Sequence, residues 1–221
     1  MRKYLYLAMT AASVAALAVP VAASAATATG SSVLTISKAG GTAVKTGAVL
    51  KANLAKGTAA VFSTSLFSLN CKTASFSAKV TKNPKAKGTA DESLTAQAIG
   101  KCTVKGITGI TVKSVKANNL PYNVTVSDSK GDPVTVAGTK KTKPVETTVS
   151  VVFSGTTYSC LYKAGTLKGS SSNKGNSITL TKQGFTFVSG SSLCPKTATF
   201  TAKFGPVTDS SVKKSPAVFV N

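Results

Sequence analysis

The chain contains no histidine and no tryptophan, one arginine (Arg2) and only six acidic residues among 221. Each shortage removes a class of chemistry. Without histidine, neither a Ser-His-Asp triad nor a Cys-His pair can be assembled, and no imidazole is on hand to ligate a metal. Glycoside hydrolysis needs two carboxylates roughly 5–10 Å apart in a cleft. The candidates for such a pair are Asp91, Glu92, Asp128, Asp132, Glu146 and Asp209. Asp128 and Asp132 share the stretch Ser127-Asp-Ser-Lys-Gly-Asp132, where bonding to the local backbone accounts for them. Asp91 and Glu92 sit beside a capping position. Apart from Gly40-Gly41 the glycines stand singly, so no phosphate-cradling Gly-x-Gly-x-x-Gly is present. Aromatics make up 6% of residues and fall mostly at core spacing, which argues against a base-stacking platform. Serine and lysine abound, but no spacing singles out a Ser/Lys dyad. The chain is read as non-enzymatic, with neither cofactor nor metal.

Lysine fills the space that the other charged residues leave. Basic residues number 27, for a net charge of +21, and every basic residue after Lys3 is lysine. Such a balance suits non-specific, salt-sensitive contact with a polyanion such as an anionic cell-wall polymer. It serves equally as a solvated, self-repelling coat. Lysine is a compact, strongly hydrated charge, whereas bidentate readout of phosphate or guanine is arginine work, so sequence-specific nucleic-acid binding is not expected. Most lysines lie singly. The candidate polyanion contacts are the clusters Lys140-Lys141-x-Lys143 and Lys213-Lys214.

The first residues suggest export. Arg2-Lys3, an apolar run from Tyr4 to about Ala22, and the small residues Ala23-Ser24-Ala25 form the three parts of a secretory signal peptide, 1–25, with cleavage near Ala25. Pro20 and the small residues before the cut weaken a membrane-anchor reading, and no basic stop-transfer cluster follows. A paired Arg-Arg and a cysteine at the cleavage site are both absent, against the Tat and lipoprotein routes. No later segment approaches the roughly 20 apolar residues of a helical membrane span. Cleavage would leave 196 residues, enough for one large β domain or two smaller ones. The expected location is secreted, outside the cell.

Four cysteines in an exported chain read as two disulfides. Three pairings are open. Cys71 to Cys102 spans 31 positions and Cys160 to Cys194 spans 34, a similarity that favours pairing within each half. Loops of that length are worth about 3–4 kcal/mol each on the chain-entropy model. No close Cys-x2-Cys pair exists to hold zinc.

The body of the chain alternates with a period of two, the signature of half-buried strands. Ala74, Phe76, Ala78 and Val80 form one apolar face, Tyr122, Val124 and Val126 a second, Thr147, Val149, Val151 and Phe153 a third, and Ala198, Phe200, Ala202 and Phe204 a fourth. Asp91 could cap a short helix over 91–99, but Leu94, Ala96 and Ala98 also alternate, and the strand reading is preferred. Val134-Thr-Val136 should pair back across the Ser127–Asp132 turn. Gly169-Ser-Ser-Ser-Asn-Lys-Gly175 reads as a loop. The fold expected is all-β, with antiparallel β-sandwich units: an N-terminal unit 26–138 holding Cys71 and Cys102, a linker 139–145, and a similar C-terminal unit 146–221 holding Cys160 and Cys194. Weak internal similarity supports the duplication, in that Lys87-Gly88 and Ser93-Leu-Thr95 follow the first cysteine much as Lys174-Gly175 and Ser177-Ile-Thr179 follow the third.

Several short motifs carry a resemblance. Gly-Thr-Thr-Tyr-Ser-Cys160-Leu-Tyr, Asn173-x-x-Asn176-Ser-Ile, Ser191-Ser-Leu-Cys194, Asn119-Leu-Pro-Tyr-Asn123 and the terminal Ala217-Val-Phe-Val-Asn resemble stretches of secreted actinobacterial proteins of about this length. The resemblance implies export and paired cysteines and no particular activity; the lysine content departs from it. The leading expectation is a non-enzymatic β protein of the cell exterior with a structural or interaction role, presenting loops such as 128–132 and 169–175. The alternatives are a cationic wall-adhesion protein, and a small-ligand carrier or protease inhibitor. A carrier would show a deep apolar pocket; an inhibitor would show an exposed loop braced by a disulfide.

Overall fold

The structure, a computed structural model, describes residues 31–221, and the signal peptide expected over 1–25 lies outside the described residues. Every regular element among them is a strand: β1 (Leu34–Ile36), β2 (Thr42–Ala43), β3 (Val49–Asn53), β4 (Ala60–Thr64), β5 (Ser68–Lys82), β6 (Thr89–Lys105), β7 (Ile110–Asn118), β8 (Tyr122–Ser127), β9 (Pro133–Gly138), β10 (Val145–Phe153), β11 (Thr156–Ala164), β12 (Thr166–Ser172), β13 (Ser177–Gly190), β14 (Thr197–Phe204), β15 (Thr208–Asp209) and β16 (Val218–Val220). The segment 91–99 is thus strand, within β6. Along most of these runs the apolar member of each pair is buried and its Thr, Ser or Lys neighbour turned outward. Past a bulge at Thr95 the faces of β6 exchange, so that Ala96 and Ala98, expected beside Leu94, are exposed, and Phe153 is exposed at the end of β10. Tyr122, Val124 and Val126 are buried, as are Ala198, Phe200, Ala202 and Phe204. Each fully buried side chain of Val, Leu or Phe size contributes roughly 1.5–3 kcal/mol.

Three long strands, β5, β6 and β13, run the length of the molecule, and shorter ones pair with either end of them. Around one circuit the order is β5-β6-β8-β9-β12-β13-β14-β4, and β4 pairs back to β5. The sheet closes into an eight-strand barrel; it does not split into the two faces of a sandwich. The other halves of β6 and β13 are bridged by β7, β10 and β11, with Ile99 opposite Val115 and Cys160 opposite Gly190.

Strands from before and after residues 139–145 alternate around this sheet. Strand β4 pairs with β14, β7 with β10 and β9 with β12. The two halves expected from the cysteine spacing therefore share one sheet, and 139–145 merely connects β9 to β10. The physical reason is that strand pairing is made by backbone groups, which are the same everywhere along the chain. The stretch Gly169–Gly175 also departs from expectation. Residues 169–172 are the end of β12, paired with β13 throughout and with β9 at Gly169 and Ser170, and only 173–176 turns. Gly169 is there because a Cβ would meet the Thr179 carbonyl oxygen at 2.4 Å. Close backbone approach, not looseness, selects the small residue.

The strand registers define two poles. At one, the turns 65–67, 106–109, 154–155 and 191–196 come together, since Ser68 pairs with Lys105, Ile110 with Phe153, Cys160 with Gly190 and Ala198 with Thr64. Both disulfides lie toward this end: Cys71 is bonded to Cys102, its direct partner across β5 and β6, and Cys160 to Cys194. At the other pole the turns 83–88, 128–132 and 173–176 meet, and the small sheet β16-β1-β2 lies against them.

That small sheet is held by side-chain amides. Asn83 accepts from the Leu34 N–H at 2.9 Å and donates to the carbonyls of Leu34 and Val44, both at 2.8 Å. Asn173 accepts from the Val220 N–H at 2.9 Å and donates to its carbonyl, and Asn176 donates to Val218. An Asn side chain carries the same donor and acceptor as a peptide group, so it continues a ladder where the backbone has turned away.

Candidate functional site

The inward faces do not fill the barrel completely. A cavity of about 80 Å³ is left, walled by Phe62, Phe76, Leu94, Val115, Val124, Val136, Leu167, Leu180, Phe185, Phe200 and others. One water needs roughly 10–15 Å³ of such space. A smaller cavity of about 30 Å³ lies toward the small sheet, lined by Leu34, Leu50, Val126, Val207, Val218 and Val220 and by the polar residues Asn173, Asn176 and Ser177.

Glu92 lines both cavities. Its place follows from the period of two. Ala90, Glu92 and Leu94 point the same way along β6, and Glu92 stands between Val80 of β5 and Val124 of β8. The residue is 6% exposed, and among the described residues its carboxyl takes part in no hydrogen bond or ion pair. Loss of hydration raises its pKa from 4.5 to about 7. Ser177, on the wall of the smaller cavity, is 3% exposed and its Oγ is buried without a hydrogen-bond partner. Ser177 Oγ is thus a buried polar atom without a partner, and Glu92 is a carboxyl desolvated among apolar side chains, both costly placements.

Glu146, Thr147 and Tyr122, beside the main cavity, are hydrogen-bonded. The Glu146 carboxylate accepts from Asn119 Nδ2 at 2.7 Å. The Tyr122 hydroxyl accepts from the Glu146 N–H at 3.0 Å and donates to the carbonyl of Glu146 or of Asn118. Burial holds this phenol above its ordinary pKa, partly offset by the Glu146 N–H. Tyr162, packed edge-on against Phe62 at 5.3 Å, is pushed by burial up to about 12. Neither is poised as an acid or base near neutrality.

The residues singled out from the sequence lie elsewhere. Lys140, Lys141 and Lys143 are exposed on the β9–β10 connection, where the Lys143 N–H donates to the Lys140 carbonyl at 2.9 Å. Lys213 and Lys214 are exposed on the β15–β16 connection. The cysteines brace the pole away from the small sheet. Asp128 accepts from the Lys87 N–H, tying the turns 83–88 and 128–132 together, as its turn-forming role requires. Reading the sequence for chemistry passed over Glu92, which looked like a residue beside a helix cap. The available signal was the alternation of Ala90, Glu92 and Leu94, which puts Glu92 on the inner face; Ala96 and Ala98 lie beyond a bulge and face outward.

Among the described residues no three carboxylates or cysteines converge in a way that could hold a metal ion, and no helix is long and apolar enough to cross a membrane. Two disulfides are consistent with an extracellular protein. Comparison with family models, with curated proteins and with solved structures returns no match.

Proposed function

We propose that this is an exported, non-enzymatic binding protein that carries a small, mainly apolar ligand inside its barrel, with Glu92 as the polar anchor. The observation behind the reading is an apolar cavity of about 80 Å³ closed around an unpartnered carboxyl. Ligand sites of this kind pair a large apolar wall with one or two placed polar groups. A ligand bearing an amine, hydroxyl or amide N–H would satisfy Glu92 while its carbon skeleton fills the space between Phe62, Leu94, Val136 and Phe200. The volume is about half of the roughly 150 Å³ that holds benzene, which suits a ligand of about three or four non-hydrogen atoms, of the size of propanol.

The inhibitor reading is weaker. The segment 191–196 is braced by Cys160–Cys194 and carries an exposed Leu193. It is folded into a tight turn, however, with the Cys194 N–H on the Ser191 carbonyl at 3.0 Å. A protease cleft reads an extended strand.

Titration of the protein with propan-1-ol and propylamine, followed by methyl chemical shifts, tests the carrier reading. Saturable shifts confined to Leu94, Val124, Val136 and Leu180 are expected. Leu94→Phe, which fills the cavity, should abolish them. Shifts that fail to saturate, or that fall on surface methyls in both proteins, would overturn it.

A further inference from the structure

The pole where the turns 65–67, 106–109, 154–155 and 191–196 meet has a surface unlike the rest. Six large apolar side chains are exposed among the described residues, and five of them, Leu66, Ile107, Phe153, Val188 and Leu193, sit at this end. Single exposed apolar residues are ordinary; convergence of four adjacent turn tips and a strand end is not. Leu66 and Leu193 are 57% and 63% exposed at the tips of their turns. Phe153, at 40%, was placed by its alternation on the inner face, and it is the strand end at Ser154-Gly155 that turns it out.

Acidic residues are missing from the same end. The strand ends and turns that build this pole, 60–72, 99–115, 149–160 and 186–201, contain five lysines and no acidic residue. All six acids of the chain lie outside those spans. Lys72, Lys101, Lys105, Lys113 and Lys196 are exposed there, and Lys196 Nζ sits 4.8 Å from the centre of the Phe187 ring.

We propose that this pole docks on an anionic lipid surface, with Leu66, Ile107, Phe153 and Leu193 entering the interface and the surrounding lysines resting on the head groups. The apolar tips choose between the polyanions. A wall polymer rewards lysine only, because it offers no apolar phase. A bilayer rewards both, through apolar burial at the head-group boundary and through electrostatic attraction to anionic lipid. Lysine is well suited to this use, since its attraction to a charged surface needs no planar geometry. The proposal is independent of the ligand cavity, which these residues do not line.

Co-sedimentation with vesicles of phosphatidylcholine alone and of phosphatidylcholine with phosphatidylglycerol, at physiological salt, is the test. Binding to the mixed vesicles alone is expected. Leu66→Ser with Leu193→Ser should weaken it at least tenfold. Lys101→Glu with Lys105→Glu should weaken it by about fivefold per lysine removed. Val212→Ser and Lys213→Glu, at exposed positions away from this pole, should leave it unchanged. All four sets lie at the surface, so unchanged circular dichroism and thermal unfolding are required of each. Absence of binding to the mixed vesicles would overturn the proposal. So would binding that survives Leu66→Ser with Leu193→Ser, or that soluble polyphosphate displaces as well as lipid does, since either outcome means contact with polyanions in general.

Discussion

The two ends of the barrel are closed by opposite means. One is tied covalently, by Cys71–Cys102 and Cys160–Cys194, and shows apolar tips and lysines to the outside. The other is covered by the small sheet β16-β1-β2, held through the side-chain amides of Asn83, Asn173 and Asn176. Covalent bonds restrict the unfolded chain, whereas amide bridges act only in the folded state and can open singly. The desolvated Glu92 carboxyl and the unpartnered Ser177 Oγ both lie toward the amide-held end. The rigid end is suited to contact with a surface and the amide-held end to exchange of a ligand, a division of labour that the following changes would sharpen or break.

The largest effect should come from the covalent end. Reduction of both disulfides, or Cys→Ala at all four positions, is expected to lower unfolding free energy by about 3–4 kcal/mol per bond on the loop-entropy model. Urea denaturation with and without reductant measures it. A loss under 1 kcal/mol would mean that the ladder alone holds this pole.

The interior comes next. Glu92 has a folded pKa of about 7 against 4.5 for its ordinary value, so over that window the folded state holds a proton that the unfolded state has released. The penalty is absent below pH 4.5, grows as pH rises, and is complete above about 7. At about 1.4 kcal/mol per unit, stability should fall by roughly 3 kcal/mol across the window. Glu92→Gln should flatten that slope. Denaturation midpoints at a series of pH values settle the matter, and a slope that persists in the variant would place the titrating group elsewhere.

A smaller loss is expected at the amide-held end. Asn83→Ala removes three hydrogen bonds from β1 and its neighbour Val44 and should cost about 2 kcal/mol. Hydrogen exchange would read this locally: amides of β1 and β16 should speed up while those of β5 and β6 keep their protection. Uniform acceleration would show that the small sheet unfolds only with the barrel. The smallest effect belongs to the surface: Leu66→Ser should change stability by less than about 0.5 kcal/mol, because its side chain is already in water. A larger change would mean that the tip packs inward and is not free to dock.

Much of the strand content was legible because a half-buried strand spells its own faces. Tyr122, Val124 and Val126 were readable from their spacing alone, and so were Ala198, Phe200, Ala202 and Phe204. Partner choice was not. Nothing in the letters of β9 says that it will pair with β12 across the 139–145 connection, so two separate units and one shared barrel read alike. Gly169–Ser172 looked like loop because small polar residues are common to loops and to tightly approached strands; the Thr179 carbonyl that forbids a larger residue is ten positions away. Glu92 was visible as a residue and invisible as a site, since its isolation depends on which apolar side chains surround it.

From its sequence alone this chain was bound to be basic, rich in short strands, without imidazole chemistry, and able to form two disulfides, because composition and a period of two are local properties. Closure of the barrel, the cavity around Glu92 and the gathering of Leu66, Ile107, Phe153 and Leu193 at one end were decided only in the tertiary structure. They arise from contacts between residues tens to more than a hundred positions apart, and the backbone groups that choose those contacts carry no side-chain identity.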